Sequence, residues 1–298
     1  MLVEVFYSTG VRLRLKHLLE ELKSSYRLGD SFRHKVVSYI ERCHLDDGGY
    51  FFARVMPSSG TDTYFAIKSL SYMGMKPQRP EAVVSFFLRQ MREGALNSIP
   101  SLFNAVEVIN ELDQITDNLR GFAQKQIMPW QNKAGGFGAV ENVYIEVSSE
   151  LEETYRAVRI LKAIGAIFDE QAVTGFVSSL LNRDGGYGSN GHSTLASTFY
   201  ATAIHKLLGV HILKLASTRA YLRRREETLQ IQFIEDLFWL VEGLANLGEK
   251  PNFPDRAIEF VLECQRQNGG FARATIMGIP TLEYTFYALS ILKEIEAL

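Results

Sequence analysis

The stretch Asn268-Gly269-Gly270-Phe271, followed by Thr285-Phe286-Tyr287-Ala288-Leu289, decides the fold, because it is one copy of a repeated unit. A Gly-Gly-aromatic loop leads into a Thr-aromatic-x-Ala helix start. Three further copies read Gly48-Gly49-Tyr50 with Thr63-Tyr64-Phe65-Ala66, Gly135-Gly136-Phe137 with Thr154-Tyr155-Arg156-Ala157, and Gly185-Gly186-Tyr187 with Thr198-Phe199-Tyr200-Ala201. Two weaker helix starts are Leu102-Phe103-Asn104-Ala105 and Leu237-Phe238-Trp239-Leu240. The six starts lie roughly 39 to 52 residues apart, which is typical of stacked helical hairpins.

Apolar periodicity outside these loops predicts an all-α chain of six hairpins. The six outer helices are predicted at about 31–44, 79–92, 117–130, 168–182, 214–228 and 254–267, and the six inner helices at about 62–74, 101–113, 152–165, 196–209, 235–248 and 283–296. Each inner helix carries an aromatic residue after the Thr position, and most carry Ala two residues later. Small residues let helices approach closely and aromatic residues fill a shared centre. The sequence therefore predicts a closed (α/α)6 toroid around an aromatic-lined hollow or core.

The Gly-Gly-aromatic loop is interpreted as a structural signature. One glycine supplies a positive φ, the other permits close backbone approach, and the aromatic side chain packs beneath the hairpin turn. Residues 31–298 are predicted to form a single toroid domain. Residues 1–30 form an N-terminal extension with an amphipathic helix over about 11–26.

Bulk composition excludes several classes of protein. Hydrophobic residues make up 46% and charged residues 22% of the chain, which are ordinary globular values. A formal net charge of -2 gives no electrostatic reason to expect nucleic acid or an anionic membrane as partner. Two cysteines, Cys43 and Cys264, indicate a reducing compartment rather than a disulfide scaffold. With no long apolar run and no signal-peptide pattern, we expect a soluble cytoplasmic protein without a transmembrane segment.

The repeats resemble those of the prenyltransferase and squalene-cyclase family, over about residues 31–298. That family includes protein prenyltransferase β subunits and class II terpene cyclases. The resemblance implies an α/α toroid whose central cavity holds isoprenoid chains. It also implies an isoprenoid or other apolar small molecule as ligand, and a second subunit or homo-oligomer as a possible assembly.

The resemblance implies a zinc site as well, with Asp-x-Cys at one inner-helix start and His at another. Here Asp236 stands about where the Cys thiolate would be, and Tyr284 takes the His position. Because structural and catalytic zinc sites need Cys, His or carboxylate ligands in a tight tetrahedron, we expect no family-type zinc site and no other cofactor. The third repeat is acidic where protein prenyltransferases carry Arg for the diphosphate. His192 resembles the diphosphate-contacting His but is displaced along the chain.

Acidic residues recur just ahead of the inner helices. They are Asp62, Glu150, Glu152, Glu153, Glu235, Asp236 and Glu283. Carboxylates in a first turn complement the helix dipole, each contributing about 0.3–1 kcal/mol. Alternatively, several converge on one cavity mouth and raise each other's pKa, so that one can act as a general acid. Class II cyclases use an Asp-x-Asp-Asp motif in this way. That motif is absent here, and Glu235-Asp236 is a weak substitute.

These patterns define a candidate site. The candidate catalytic residues are Asp236, Glu235 and Glu283; the candidate substrate-binding residues are Tyr64, Tyr155, Phe199, Tyr200, Phe238, Trp239, Tyr284, Tyr287 and His192; and the rim acids are Asp62, Glu152 and Glu153. We interpret the chain as a divergent prenyltransferase-like or cyclase-like enzyme without the family zinc ligands. Two alternatives stay open: a non-catalytic lipid- or protein-binding toroid that has lost its metal, and a glycan-active toroid with rim carboxylates as acid and base.

Overall fold

Twelve α-helices build the described part of the chain. The computed structural model describes residues 28–138, 147–228 and 230–298, with the backbone alone at 147–149. The outer helices are α1 (Asp30–Glu41), α3 (Pro80–Arg92), α5 (Asp117–Ile127), α7 (Glu170–Ser179), α9 (Ala216–Thr228) and α11 (Pro254–Cys264). The inner helices are α2 (Gly60–Tyr72), α4 (Ile99–Glu111), α6 (Val147–Ile164), α8 (Leu195–Leu207), α10 (Ile234–Asn246) and α12 (Leu282–Glu294). The predicted all-α class is confirmed, whereas the predicted helix over 11–26 lies outside the described residues.

The inner helices form a closed ring. Each packs against two inner neighbours, and α12 returns to pack against α2. The ends of the ring are also joined by polar contacts. The Leu28 backbone N–H donates to the Ala297 carbonyl at 3.0 Å, and the Arg42 guanidinium donates to the Asn268 carbonyl at 2.7 Å. The predicted toroid is therefore confirmed. Of the helices in the described ranges, none has both the length and the apolar composition to span a bilayer.

The two glycines of each Gly-Gly loop have different roles, as the last copy shows. Gly269 has a φ of 94°, in the left-handed region, and a Cβ there would collide with the Lys35 carbonyl of α1. At Gly270 a Cβ would lie 2.5 Å from Cζ of the Tyr39 ring. Each loop therefore packs directly on the outer helix of the following repeat, and the sixth loop packs on the first. This contact closes the outer layer.

In the four repeats that have a Gly-Gly loop, the Thr at the start of the inner helix fixes that loop from the inner side. The Thr285 hydroxyl accepts a hydrogen bond from the Phe271 backbone N–H at 3.2 Å and donates to the Thr281 carbonyl at 2.7 Å. Equivalent bonds from loop N–H to Thr hydroxyl occur at Tyr50–Thr63, Phe137–Thr154 and Tyr187–Thr198, at 2.9, 2.9 and 3.0 Å. The loop aromatic residues are buried, Phe271 completely. The predicted packing beneath the hairpin turn is confirmed.

Most helix starts were predicted to within two residues, because Ser and Thr N-caps precede the repeat. The side chains of Ser59, Ser98, Thr194 and Thr281 each accept a backbone N–H of the first turn. The start of α6 is an exception. It begins at Val147 rather than near residue 152, because helical backbone continues upstream of the repeat's Thr. The predicted inner-helix ends are about two residues too long.

Candidate functional site

Six aromatic side chains, one from each inner helix, meet on the axis of the ring. This aromatic belt consists of Tyr64, Phe103, Tyr155, Phe199, Phe238 and Phe286. Consecutive ring centroids lie 5.1, 6.3, 6.0, 5.3, 5.8 and 6.0 Å apart around the circle. Aromatic pairs at such separations attract each other in tilted and edge-to-face arrangements. The centre of the toroid is therefore filled at this level, and the predicted aromatic-lined interior is a core rather than an open tunnel.

The aromatic belt divides the interior into two cavities. The mouth, at the N-terminal ends of the inner helices, has a volume of about 90 Å³. The funnel, at their C-terminal ends, has a volume of about 250 Å³. Each cavity is floored by the same aromatic belt.

Glu283 adjoins the lining of the mouth without being part of it, whereas Glu152 is an acid that lines the mouth. Glu283 is the second residue of α12, and its Oε1 accepts a hydrogen bond from the Tyr287 hydroxyl at 2.9 Å. Burial raises the pKa of Glu283, and the neighbouring Glu235 and Glu152 carboxylates raise it further, against the lowering effect of the Tyr287 hydrogen bond and of Arg156. Asp62 is buried as well, and burial together with Glu283 raises its pKa. The structure therefore brings rim acids from different repeats within electrostatic reach of each other.

The cations of this rim are already engaged. Arg156 pairs with Glu152 at 2.5 Å, and its guanidinium carbon lies 5.9 Å from the Phe103 ring centroid. Arg273 pairs with Glu235 at 2.5 Å and stacks 4.1 Å from the Phe233 ring centroid. Each guanidinium thus neutralises one carboxylate at the rim. Neither guanidinium is left without a carboxylate partner to bind an anionic ligand.

Asp236 takes a different position from Glu283. Burial raises its pKa, Glu235 raises it further, and Arg273 and the outer-helix residue Arg225 lower it. Asp236 does not line the mouth. The structure therefore places Glu235 in an ion pair with Arg273 and Asp236 within electrostatic reach of the outer-helix residue Arg225. Of the predicted acids, Glu152 lines the mouth, whereas Asp236 and Glu283 do not.

The predicted substrate-binding residues separate into three groups. Tyr64, Tyr155, Phe199 and Phe238 belong to the aromatic belt, and Tyr200 and Tyr287 line the mouth. Trp239, Tyr284 and His192 line neither the mouth nor the funnel. His192 is exposed in the loop before α8. Glu153 faces Gly138 of the preceding loop rather than the axis.

Among the residues of the mouth lining that the sequence analysis did not select, Phe65, Asn104 and Arg156 form one group. Each directly follows a residue of the aromatic belt, in the same register as Tyr200 and Tyr287. The signal was therefore present in the repeat alignment. It was overlooked because these positions vary in chemistry from repeat to repeat.

The residues at the implied zinc positions do not fit that ion. The Glu235 carboxylate is paired with Arg273, and Asp236 does not line the mouth. Tyr284 offers a phenol whose pKa is raised by burial. Both cysteines are buried in the α1 and α11 regions of the outer layer. Across the described ranges, no three His, Cys, Asp or Glu side chains form a group that could hold a metal ion.

Comparison with known proteins places the chain in a family. The sequence model of the prenyltransferase alpha-alpha toroid domain matches residues 13–102, 97–230 and 229–298. The chain belongs to this family. The first match begins at residue 13, within the stretch that sequence analysis set apart as an extension.

One solved structure illustrates how far this prenyltransferase-family toroid has diverged. Candida albicans protein geranylgeranyltransferase-I, complexed with GGPP, superposes with a TM-score of 0.65 at 18% sequence identity, covering 87% of this chain and 90% of that chain. At this level of identity the likeness concerns the fold. A comparison with curated proteins finds no match.

Proposed function

We propose that this family member binds the uncharged hydrocarbon end of a prenyl-type ligand at its mouth, without transferring a prenyl group from a diphosphate donor. The observation that carries this proposal is a rim of carboxylates, among them the ion-paired Glu152 that lines the mouth, next to a closed aromatic belt. The aromatic floor favours branched hydrocarbon, since apolar burial contributes about 25 cal/mol per Å². The acidic rim disfavours anions.

Charge argues against a diphosphate headgroup. Asp62 and Glu283 add carboxylates to the rim, where, in the part of the chain that the structure describes, Arg156 and Arg273 are already paired with Glu152 and Glu235. Opposing like charges across an interface costs several kcal/mol. A headgroup with several negative charges therefore meets net repulsion where the family resemblance implies His, Arg and Lys.

Size limits how much of the ligand enters. Pockets for drug-sized molecules are roughly 300–1,000 Å³, whereas the mouth measures about 90 Å³. The aromatic belt prevents deeper insertion. The mouth therefore fits the branched end of a hydrocarbon chain, with the remainder lying outside the ring.

A direct binding comparison tests this function. Purified protein would be titrated with farnesol and with farnesyl diphosphate by calorimetry at low salt. We expect farnesol to bind about tenfold or more tightly than the diphosphate, with a smaller difference at high salt because screening weakens the repulsion. Tighter binding of the diphosphate, or no binding of either ligand, would contradict the proposal.

A matched pair of variants locates the ligand. Phe65→Trp places a larger side chain in the mouth, reduces the space for a ligand and is expected to weaken farnesol binding. Leu213→Trp places the same side chain at an exposed position outside both cavities. If both variants bind farnesol equally well, the mouth is not the site.

A second candidate function is acid-initiated chemistry on an alkene, favoured by the hydrogen bond that links Glu283 to Tyr287 in the lining of the mouth. The protonated Glu283 carboxyl would give its proton to one alkene carbon, leaving a carbocation that aromatic faces stabilise. Return of a proton from a neighbouring carbon to the carboxylate would complete an isomerisation or cyclisation and regenerate the carboxylic acid. A raised pKa makes Glu283 a weaker acid, which is why binding ranks first. Product formation from a neutral polyprene that is lost in Glu283→Gln would support this candidate.

A further inference from the structure

The funnel at the C-terminal ends of the inner helices is a second lined cavity that the proposed function does not use. It measures about 250 Å³, or about eight water volumes. Its floor is formed by five rings of the aromatic belt, Tyr64, Tyr155, Phe199, Phe238 and Phe286. Its wall is polar and charged, unlike the floor.

The first tier of that wall stands one helical turn beyond the aromatic belt. It consists of Lys68, Glu107, Arg159, Ala203, Glu242 and Ser290, each four residues after its belt residue. Most of its charges are paired within the described structure. Arg159 donates two hydrogen bonds to the Glu107 carboxylate, one of them from Nε at 3.1 Å, and Lys68 pairs with Glu111 at 2.5 Å.

Glu242 is the exception in this tier. Its carboxylate accepts a hydrogen bond from the Ser290 hydroxyl. No cation of the described residues lies within ion-pair distance of it. Its tier neighbours are Ala203 and Ser290, so among the described residues the side of the funnel between α8 and α12 holds a carboxyl group that forms no direct ion pair. Removing a charge from water without a partner is costly.

Burial raises the pKa of Glu242, and the lysines at the outer edge, Lys293 and Lys206, lower it from beyond ion-pair distance. Lys206 is exposed and donates to Asn246 Oδ1 at 3.4 Å. Lys293 is exposed too, donates to Glu294 at 3.1 Å and lies 4.9 Å from the Tyr72 ring centroid. Charges in contact with solvent are screened, so their effect on an incoming ligand is smaller than that of the half-buried Glu242.

Two further features of the funnel favour positive charge. The C-terminal ends of all six inner helices surround it, and each carries a partial negative charge from unsatisfied carbonyls. Aromatic faces attract cations, most strongly where water is excluded. We propose that the funnel binds a small organic cation of the alkylammonium class, with Glu242 as its counter-ion and the aromatic belt as its apolar contact.

Calorimetric titration of the full chain tests this site. The probes are propylammonium chloride and tetramethylammonium chloride, with 1-propanol as the uncharged match. We expect the cations to bind and 1-propanol to bind about tenfold or more weakly. Equal binding of the alcohol and the ammonium, or no binding of either cation, would overturn the proposal.

Variants assign the binding to the carboxylate. Glu242→Gln keeps the shape and the acceptor for Ser290 and is expected to lower cation affinity about tenfold or more, while Glu294→Gln at the outer edge changes it less than about threefold. Lys206→Met removes a nearby ammonium and is expected to tighten binding. Thermal melting of each variant checks folding. A Glu242→Gln protein that is folded and binds the cations unchanged would show that Glu242 is not the counter-ion.

Discussion

The Tyr287 hydroxyl donates a 2.9 Å hydrogen bond to Glu283 Oε1, one turn earlier on α12. This bond stabilises the charged form of Glu283, in opposition to burial and to the surrounding carboxylates, which favour the neutral form. The protonation state of Glu283 is therefore set by a balance between the Tyr287 hydroxyl, which favours the charged form, and burial with the neighbouring acids, which favours the neutral form.

Tyr287→Phe should remove the donor and raise the pKa of Glu283 further. Hydrogen bonds to charged groups contribute about 1.5–3 kcal/mol, so the free energy of unfolding at pH 7 should fall by about that amount or less. The loss should shrink at acidic pH, where Glu283 is protonated in both proteins. Chemical denaturation at two pH values measures this, with Tyr284→Phe as the control. An identical loss at both pH values would mean that the bond does not act on the charge.

Glu283→Gln should alter how stability depends on pH. The pKa of Glu283 is raised in the folded state, so the folded protein holds this proton at pH values where the unfolded chain has released it. Stability therefore falls as pH rises from the ordinary carboxyl pKa through the raised one. The Gln variant should lack this fall and should be more stable relative to the parent at pH 7 than at pH 4. Denaturant midpoints of both proteins across this pH range test the prediction. A variant that loses stability relative to the parent as pH rises would contradict a raised pKa of Glu283.

Thr285→Val should test the anchoring of the loops. The buried Phe271 N–H would lose its acceptor, at a cost of about 1–3 kcal/mol. The hydroxyl of Thr174, on the exposed face of α7, bonds to the Glu170 carbonyl at 2.8 Å, and its replacement by Val should change stability by less than about 0.5 kcal/mol. Similar costs for both substitutions, measured by urea denaturation, would argue against a special role for the repeat Thr.

Gly270→Ala should destabilise the ring closure, because the new methyl group would meet the Tyr39 ring. Overpacking of this kind costs about 1–3 kcal/mol. Gly175 in α7 has open space around its Cα, so Gly175→Ala should instead stabilise by about 0.5–1 kcal/mol through helix propensity. Opposite signs in the two melting temperatures are expected. A neutral Gly270→Ala would show that α1 can move away from the loop.

Phe238→Ala should open the aromatic belt. Loss of a buried Phe side chain costs about 3–5 kcal/mol, and the resulting gap should connect the mouth with the funnel. We expect the variant to prefer a longer hydrocarbon over a short one more strongly than the parent does. Calorimetry with farnesol and isoprenol measures the two affinities. Phe253→Ala, at a position 53% exposed, is the control for stability and should cost much less.

The architecture follows from local patterns, which is why the sequence predicts it well. Gly269, Gly270 and Thr285 act through backbone conformation and contacts to the next hairpin, and these requirements repeat in every copy. The order of inner and outer helices, the closed ring and the buried loop aromatics were all predicted from that repetition.

The site could not be predicted to the same extent, because it depends on contacts between repeats. Arg273 and Glu235 are 38 residues apart in the chain, and no local pattern indicates that one neutralises the other. Whether six aromatic rings leave a tunnel or close it depends on the radius of the helix ring. The exceptional state of Glu242 appears only when its neighbours Ala203 and Ser290 are known from the ring order.

The contact of Gly269 with Lys35 gives the protein a fixed copy number. In an open array each added hairpin lengthens the structure and leaves the others unchanged, whereas here the sixth loop already occupies the surface of the first outer helix. Adding a seventh hairpin would require every contact between neighbouring hairpins to open to a different angle. A ring of only five hairpins would require every contact to close more tightly. We therefore expect that evolution can alter the side chains of this toroid freely but can change its number of hairpins only by rebuilding the whole circle.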